Sequence, residues 1–211
     1  VYLAEVDTPA VFLVTPLDGE KASVVTEKWS LEPGLAAHGY RDIYGNRCER
    51  TVLNSGRSTV SYRAIVDTPD ATEDFDLNAP EIPPAGLPDD VLLYTVPSRY
   101  CLPDVLGNEA WSRFGSVAPG YQRVQAVCDY VHNHLTFAYG SSLPTSTAAD
   151  VNHSGFGVCR DFTHLAITFC RALNIPARYV FGYLPFVDYP DDGSEDDFAA
   201  WMEVWLGDRW W

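Results

Sequence analysis

The hydrophobic period of this chain changes partway along its length. Over most of residues 58–67 apolar and polar side chains alternate, which is the period of a strand with one buried face. Beyond residue 119 the apolar side chains recur at spacings of three, four and four, at Val124, Val127, Val131 and Leu135. That second period is typical of an amphipathic helix. We therefore expect a β-rich part followed by an α+β part.

The N-terminal part carries several short strand signals and no long helical one. Besides residues 58–67, strand-like runs occur at 10–14 and 22–31, and Gly45–Asn46 is a turn-forming pair. These signals predict an antiparallel β-sandwich over residues 1–78. Prolines and acidic residues are concentrated in residues 79–90, which predicts a stiff linker. The second domain is then expected over residues 91–211.

The sequence of the second domain predicts two helices followed by two strands. Its second helix is predicted to begin near Cys159 and to end at Asn174, a residue that tolerates a left-handed cap. Strands are predicted over residues 177–184 and 198–206. Between them, residues 188–197 contain six acidic side chains and are expected to form a solvated loop.

The charge balance excludes some classes of partner. The chain has 14 basic and 29 acidic residues and a formal net charge of −15, which disfavours nucleic acid. It has no apolar run of the ~20 residues that a membrane helix needs, and no signal peptide is recognised at Val1. Five scattered cysteines do not form a disulfide framework, so a reducing cytoplasm is favoured.

The most informative cysteine is Cys159. Gly155 and Gly157 free the backbone just before it, and the predicted helix begins at or just after it. A thiol at a helix N-terminus lies near the positive end of the helix dipole, which favours the thiolate. Its own N–H group can also stabilise an oxyanion that forms beside the sulfur. The pattern fits a nucleophilic cysteine, and it also fits a buried structural cysteine.

The sequence around Cys159 resembles the bacterial transglutaminase-like proteins, candidate cysteine proteases with a papain-related core. The resemblance is carried by residues 157–165 (GVCRDFTHL), 170–180 (CRALNIPARYV), 182–184 (GYL), 97–100 (PSRY) and 44–46 (YGN). It implies an α+β transglutaminase-like (papain-like) domain after the N-terminal β domain. It also implies that Cys159 is the nucleophile of a Cys-His-Asp triad.

The resemblance breaks at the position of the triad histidine. The family pattern there is Asp-Phe-His-Ala-Trp-x-Glu, whereas this chain has DFAAWME from Asp197 to Glu203, with Ala199 in place of the histidine. The family's aspartate is expected beyond Trp211, so the catalytic domain is expected to be C-terminally incomplete. One triad member of three, Cys159, is then present.

None of the histidines is a convincing substitute for the missing base. His164 follows Cys159 on the same helix but is predicted to project elsewhere, and His153 lies on a flexible approach. His38, His132 and His134 are expected to be surface or packing residues. A zinc site from Cys159, His164 and Cys170 lacks the spacing of paired ligands. We expect no metal and no cofactor.

Two aromatic features remain with open interpretations. Tyr139 follows the first helix where transglutaminase-like folds place a side chain near the oxyanion, so it is a candidate oxyanion donor as well as a packing residue. Four tryptophans near the C-terminal end could line a substrate cleft or pack the last strand: Trp201, Trp205, Trp210 and Trp211.

Two functions from different classes follow. The first is a transglutaminase-like cysteine hydrolase that acts on amide or peptide bonds through a Cys159 thioester and is inactive in this form because of Ala199. The second is a natural pseudoenzyme that serves as a peptide- or protein-binding module. In both cases the partner is a peptide or a protein.

Overall fold

A computed structural model describes residues 1–19, 22–69, 75–183 and 198–211. The chain divides into two compact units, Val1–Glu73 and Asp74–Trp211. The predicted acidic loop at 188–197 lies outside the described residues, as does Leu184 at the end of the strand predicted over 177–184.

The first unit is built from two three-stranded antiparallel sheets, which confirms the predicted β architecture. Its strands are β1 (Tyr2–Ala4), β2 (Thr8–Phe12), β3 (Ser23–Glu32), β4 (Ala37–Arg41), β5 (Arg47–Leu53) and β6 (Gly56–Asp67). The sheet orders are β1-β6-β3 and β2-β5-β4. The Phe12 ring of the second sheet lies 5.6 Å from that of Tyr2 and 6.4 Å from that of Trp29 in the first. Aromatic side chains therefore fill the space between the two sheets.

The predicted hairpin joins β4 to β5. Asp42 accepts the backbone N–H groups of Tyr44 and Asn46 through one carboxylate oxygen, at 2.8 and 2.9 Å. This Asx-type turn reverses the chain and sets the antiparallel register of Arg41 against Arg47.

The second unit combines helices with a small antiparallel sheet. Its helices are α1 (Pro103–Phe114), α2 (Tyr121–His134), α3 (Ala148–Ser154) and α4 (Cys159–Ala172), and two short 3₁₀ turns cover Pro84–Gly86 and Leu92–Thr95. Its strands are β7 (Thr136–Phe137), β8 (Phe156–Gly157), β9 (Ala177–Tyr183), β10 (Phe198–Leu206) and β11 (Arg209–Trp210). The sheet order is β11-β10-β9, and β7 pairs in parallel with β8. None of the described helices is long and apolar enough to cross a membrane.

Helix α4 forms the centre of the second unit. Leu165, Ile167 and Phe169 have no exposed surface, and α4 contacts α1, α2, α3 and β10. Val204 and Leu206 of β10 are buried in the same core. Apolar burial on this scale holds the helix rigidly, so its first turn has a fixed position. Asn174 follows the helix with a φ of 62°, the left-handed conformation expected of it.

The proline-rich segment differs from the linker predicted over residues 79–90. Ala79 is buried in the core of the second unit, and its carbonyl accepts the N–H of Tyr121 at 3.1 Å. Glu81 forms an ion pair with buried Arg123 at 2.8 Å. Gly120 has a φ of 93°, and a Cβ there would lie 2.3 Å from the Ala79 carbonyl oxygen. The segment thus packs on the start of α2, and the observed division falls at 73/74 rather than at 78–91.

Candidate active site

Cys159 is the first residue of α4, as the sequence predicts, and its side chain is partly exposed. The chain reaches it through β8, whose last residue, Gly157, is buried. A Cβ at residue 157 would lie 2.7 Å from the Cβ of Asp161, so a glycine is needed for this close passage. The local sequence therefore places the thiol at the N-terminus of a buried helix.

Asp161 fixes the first turn of α4. Its carboxylate is almost completely buried and accepts the N–H of Val158 at 2.9 Å. The same carboxylate accepts the hydroxyl of Ser142 and the guanidinium of Arg160, the latter at 3.0 Å. Because the buried Asp161 carboxylate binds three partners, the segment before Cys159 is fixed to the loop that contains Ser142.

The start of α4 offers two backbone donors beside the thiol. The N–H groups of Asp161 and Phe162 both donate to the carbonyl of Val158, at 2.7 and 3.2 Å. Those of Cys159 and Arg160 have no acceptor within the part of the chain that the structure describes. Such groups at a helix N-terminus can donate to an oxyanion.

Tyr179 of β9 contacts α4 at His164 and was not singled out by the sequence. Burial, and after it the negative charges of Cys159 and Asp161, raises the pKa of Tyr179 to about 12. The phenol therefore keeps its proton at neutral pH. Its ring lies 5.1 Å from that of His164. The strand around it was predicted, but this contact depends on how the strand packs on α4.

His164 occupies a buried aromatic stack. Its ring lies parallel to that of Tyr100, at 5.0 Å and 4°, and its Nδ1 has no hydrogen-bond partner. Burial lowers the pKa of His164 from 6.5 to about 4, so the ring is neutral at physiological pH. The arrangement agrees with the predicted packing role.

The other histidines are dispersed. His134 Nε2 lies 2.8 Å from the carbonyl oxygen of Asn152, and His153 is exposed in the last turn of α3. His132 is in α2, and His38 is in the first unit. Among the described residues, no cluster of three or more His, Cys, Asp or Glu side chains is placed to hold a metal ion.

Ala199 lies in β10 directly opposite Gly182 of β9. By strand alternation it shares a face with Trp201 and Glu203, whereas Ala200 shares the face of buried Val204. Histidines introduced at 199 and at 200 would thus project from opposite faces of the strand. That position 199 faces the sulfur of Cys159 stays a prediction.

Tyr139 follows β7 and is 81% exposed, with its ring 5.1 Å from that of Phe137. Phe137 is opposite Gly157 in the parallel pair, and Tyr139 lies two residues beyond it. Its role as an oxyanion donor stays a prediction.

The C-terminal tryptophans divide between packing and exposure. The Trp210 ring contacts Trp205 at 5.5 Å and Tyr94 at 5.0 Å, and Arg178 lies over it at 4.2 Å. Trp201, in contrast, is exposed. The cluster around Trp210 packs the sheet on the face opposite to α4.

An apolar groove of about 400 Å³ lies between α2, α4 and β10. It begins one turn along α4 from Cys159, at Phe162 and Thr163. Its other contributors include Val124, Cys128, Met202 and Leu206. The groove is close to the thiol but does not contain it.

Comparison with known proteins gives a consistent picture. Residues 112–211 match the family model of the transglutaminase-like superfamily. A crystal structure of a "putative cysteine protease" from Cytophaga hutchinsonii matches with a TM-score of 0.86 at 30% identity, over 99% of this chain and 71% of that one. An uncharacterized protein of Mycobacterium leprae is 24% identical over 203 residues, which are 94% of this chain and 72% of that protein. One of Mycobacterium tuberculosis is 25% identical over 210 residues, or 91% of this chain and 66% of the relative.

The family match begins within α1 and includes the helix that opens with Cys159, and the structural likeness extends over both units. This chain belongs to the transglutaminase-like superfamily.

Proposed function

We propose that the second unit is a transglutaminase-like cysteine hydrolase domain in which Cys159 attacks the carbonyl carbon of an amide or peptide bond. The observation that carries the proposal is the position of Cys159 as the partly exposed first residue of a buried helix. A thiol so placed is accessible to a substrate carbonyl, and the rigid helix keeps it oriented.

The reaction proceeds through a thioester. A sulfur–carbon bond forms as the carbonyl electrons move to oxygen, and the N–H groups of Cys159 and Arg160 stabilise that oxyanion. The carbon–nitrogen bond then breaks, and the amine leaves with a proton. Water attacks the thioester, which releases the acid and returns the thiol. We favour water over a second amine because no dedicated amine site is recognised among the described residues.

The step that this form of the protein is proposed to perform poorly is proton transfer. A methyl group at Ala199 can neither take the thiol proton nor deliver it to the leaving amine. Loss of a general base commonly lowers the rate by about 10²–10⁴-fold. The protein as given is therefore proposed to turn over amides very slowly at neutral pH.

The alternative proposal is a pseudoenzyme that binds peptides or proteins without cleaving them. The apolar groove beside Phe162 and Met202 favours it, since such a groove can receive apolar side chains whether or not a base is present. The two proposals differ in whether residue 199 is a vacated catalytic position.

The test compares Ala199→His with Ala200→His, a matched control on the opposite face of β10. Alkylation by iodoacetamide at pH 6 reports the Cys159 thiolate, and a Cys159→Ser variant gives the background. We expect Ala199→His to accelerate alkylation at least about tenfold, because an imidazolium stabilises the thiolate of a Cys–His pair. A gain in amidase activity is expected in the same variant.

Two outcomes contradict the hydrolase proposal. If neither readout changes in a folded Ala199→His protein, position 199 is not the triad position and the binding-module proposal is preferred. If Ala200→His gives the same gain, position 199 is not the one that pairs with Cys159, because residue 200 lies opposite Phe181 on the other face of the strand. Circular dichroism of each variant establishes that it is folded.

A further inference from the structure

A series of aromatic rings begins beside Cys159 and continues along the sheet. Tyr179 and Phe181 share the face of β9 that carries Ala177, which is buried against α4. Their ring centroids are 6.2 Å apart, and the Phe181 ring lies 6.0 Å from that of Phe198 on the paired strand. The rings therefore form a continuous apolar surface on one face of the hairpin.

This surface emerges from the core where α4 begins. Ala177 has no exposed surface, whereas Tyr179 is 37% exposed and Phe181 is 42% exposed. Successive residues on this face thus become accessible as the strand passes the helix start. Tyr179 is the member that contacts α4, since its ring lies 5.1 Å from that of His164, five residues after Cys159.

A second group of aromatic rings lies on β7 and at the start of α4. Phe137 in β7 is half exposed, pairs with Gly157 two residues before the thiol and lies 6.4 Å from the Phe162 ring. A peptide that brings its carbonyl carbon to Cys159 would therefore place a neighbouring side chain near an apolar surface.

The charged groups near these rings already have partners. Arg178 projects from the opposite face of β9 and pairs with Glu203 at 2.6 Å. Arg160 pairs with the buried Asp161 at 3.0 Å. The ring surface itself carries no ionised side chain, because the phenol of Tyr179 keeps its proton. An apolar side chain is therefore a better occupant than a charged one.

We infer that Tyr179 and Phe181 form the subsite that receives an aromatic or bulky aliphatic side chain on the residue whose carbonyl carbon Cys159 attacks. The inference rests on the proposed role of Cys159 and adds the substrate class. Offset and edge-to-face ring contacts are the interactions that such a surface supplies. The acyl donor is thus a peptide with an aromatic or bulky aliphatic residue at the cleaved bond.

The experiment uses covalent probes, so it does not depend on turnover. N-acetyl-phenylalanine chloromethyl ketone and its alanine analogue both react when a thiolate forms a carbon–sulfur bond and displaces chloride. The labelling rate of Cys159 is measured for each probe by mass spectrometry and divided by the probe's rate with free cysteine. Iodoacetamide, which has no side chain to bind, measures intrinsic reactivity, and Cys159→Ser gives the background.

We expect the phenylalanine probe to label Cys159 at least about tenfold faster than the alanine probe after this normalisation. Phe181→Ala should reduce that preference to less than about threefold, and Phe181→Leu should retain most of it. Iodoacetamide labelling should stay within about twofold in both variants. Val105→Ala, a truncation on the exposed side of α1, is the matched control and should keep the full preference.

The outcomes separate this inference from the proposed function. If iodoacetamide labels Cys159 but the two ketones react equally, or if Phe181→Ala leaves the preference intact, the subsite is refuted and the nucleophile stands. If Cys159 in the folded protein reacts with none of the three probes, the proposed function fails and the subsite fails with it.

Discussion

The buried imidazole of His164 makes the second unit sensitive to acid in a calculable way. Burial lowers the pKa of His164 to about 4, against an ordinary value of 6.5. Asp161 opposes this shift, while the guanidinium groups of Arg160 and Arg171 add to it, and the rings of Tyr100 and Tyr179 face the imidazole. Burial is the largest effect, so the neutral form dominates in the folded state.

The sign of the pH dependence of stability follows from which state, folded or unfolded, binds the proton. Above pH 6.5 the imidazole is neutral in both states and contributes no pH dependence. Between pH 6.5 and 4 the unfolded chain binds a proton that the folded protein excludes, so the free energy of unfolding falls as the pH falls. A difference of 2.5 pKa units corresponds to about 3 kcal/mol near pH 4, of a total stability of about 5–15 kcal/mol.

The perturbation that removes this effect is His164→Phe. The ring stack is retained, and Nδ1 makes no hydrogen bond that would be lost. At pH 7.5 we expect the variant to lie within about 1.5 kcal/mol of the parent protein. Between pH 7.5 and pH 4.5, the free energy of unfolding of the variant relative to the parent should rise by about 2–3 kcal/mol.

Urea unfolding followed by tryptophan fluorescence measures this difference, since five of the six tryptophans lie in the second unit. Trp29→Phe in both proteins removes the one signal from the first unit. Other titrating groups contribute equally to both proteins and cancel in the comparison. Equal pH slopes for the parent and His164→Phe would refute the assignment of a buried neutral imidazole.

Three further predictions concern packing and thiol reactivity. Glu81→Gln should destabilise the second unit by about 3 kcal/mol in urea unfolding, because it leaves the buried guanidinium of Arg123 without a counter-charge. It should also increase proteolysis within residues 75–90. Unchanged stability would contradict the packed arrangement of this segment. Phe169→Ala should cost about 3–5 kcal/mol, since its side chain has no exposed surface, against less than about 1 kcal/mol for Val105→Ala. Burial raises the pKa of Cys101, of Cys170 and, to about 11, of Cys128, and Cys48 is buried in the first unit. A thiol reagent at pH 7.5 should therefore find one fast-reacting cysteine in the native protein, and Cys159→Ser should abolish that phase.

The elements that carry the site could be predicted because their sequence patterns are local. The apolar stripe and the glycines before Cys159 predict the start of α4 at Cys159, and the strand predicted over 198–206 matches β10. Helix α1 was not predicted, although Pro103 is a start signal and its buried residues recur at spacings of three, four and four. Helix α3 has only seven residues, too short for a periodic pattern.

The contacts that organise the site could not be predicted in the same way. Asp161 binds Ser142, nineteen residues earlier, and Tyr179 meets His164 from another element. Prolines and acidic residues in the segment around Glu81 indicate a linker by composition alone. The structure instead satisfies that acidic side chain with Arg123, 42 residues away. Long-range pairings of this kind decide burial, and no local period encodes them.

The fold and the chemistry of this protein depend on different residues. The first turn of α4 is held by Asp161, by the close passage at Gly157 and by burial of the helix, and none of these contacts involves Ala199. Residue 199 instead lies on the strand face opposite to the buried Val204, where a small side chain is accommodated without a cavity in the core. Under the proposed function, the alanine at 199 removes a proton acceptor but leaves the helix, the backbone donors and the aromatic surface in place. Substrate recognition at the aromatic surface would then outlast catalysis.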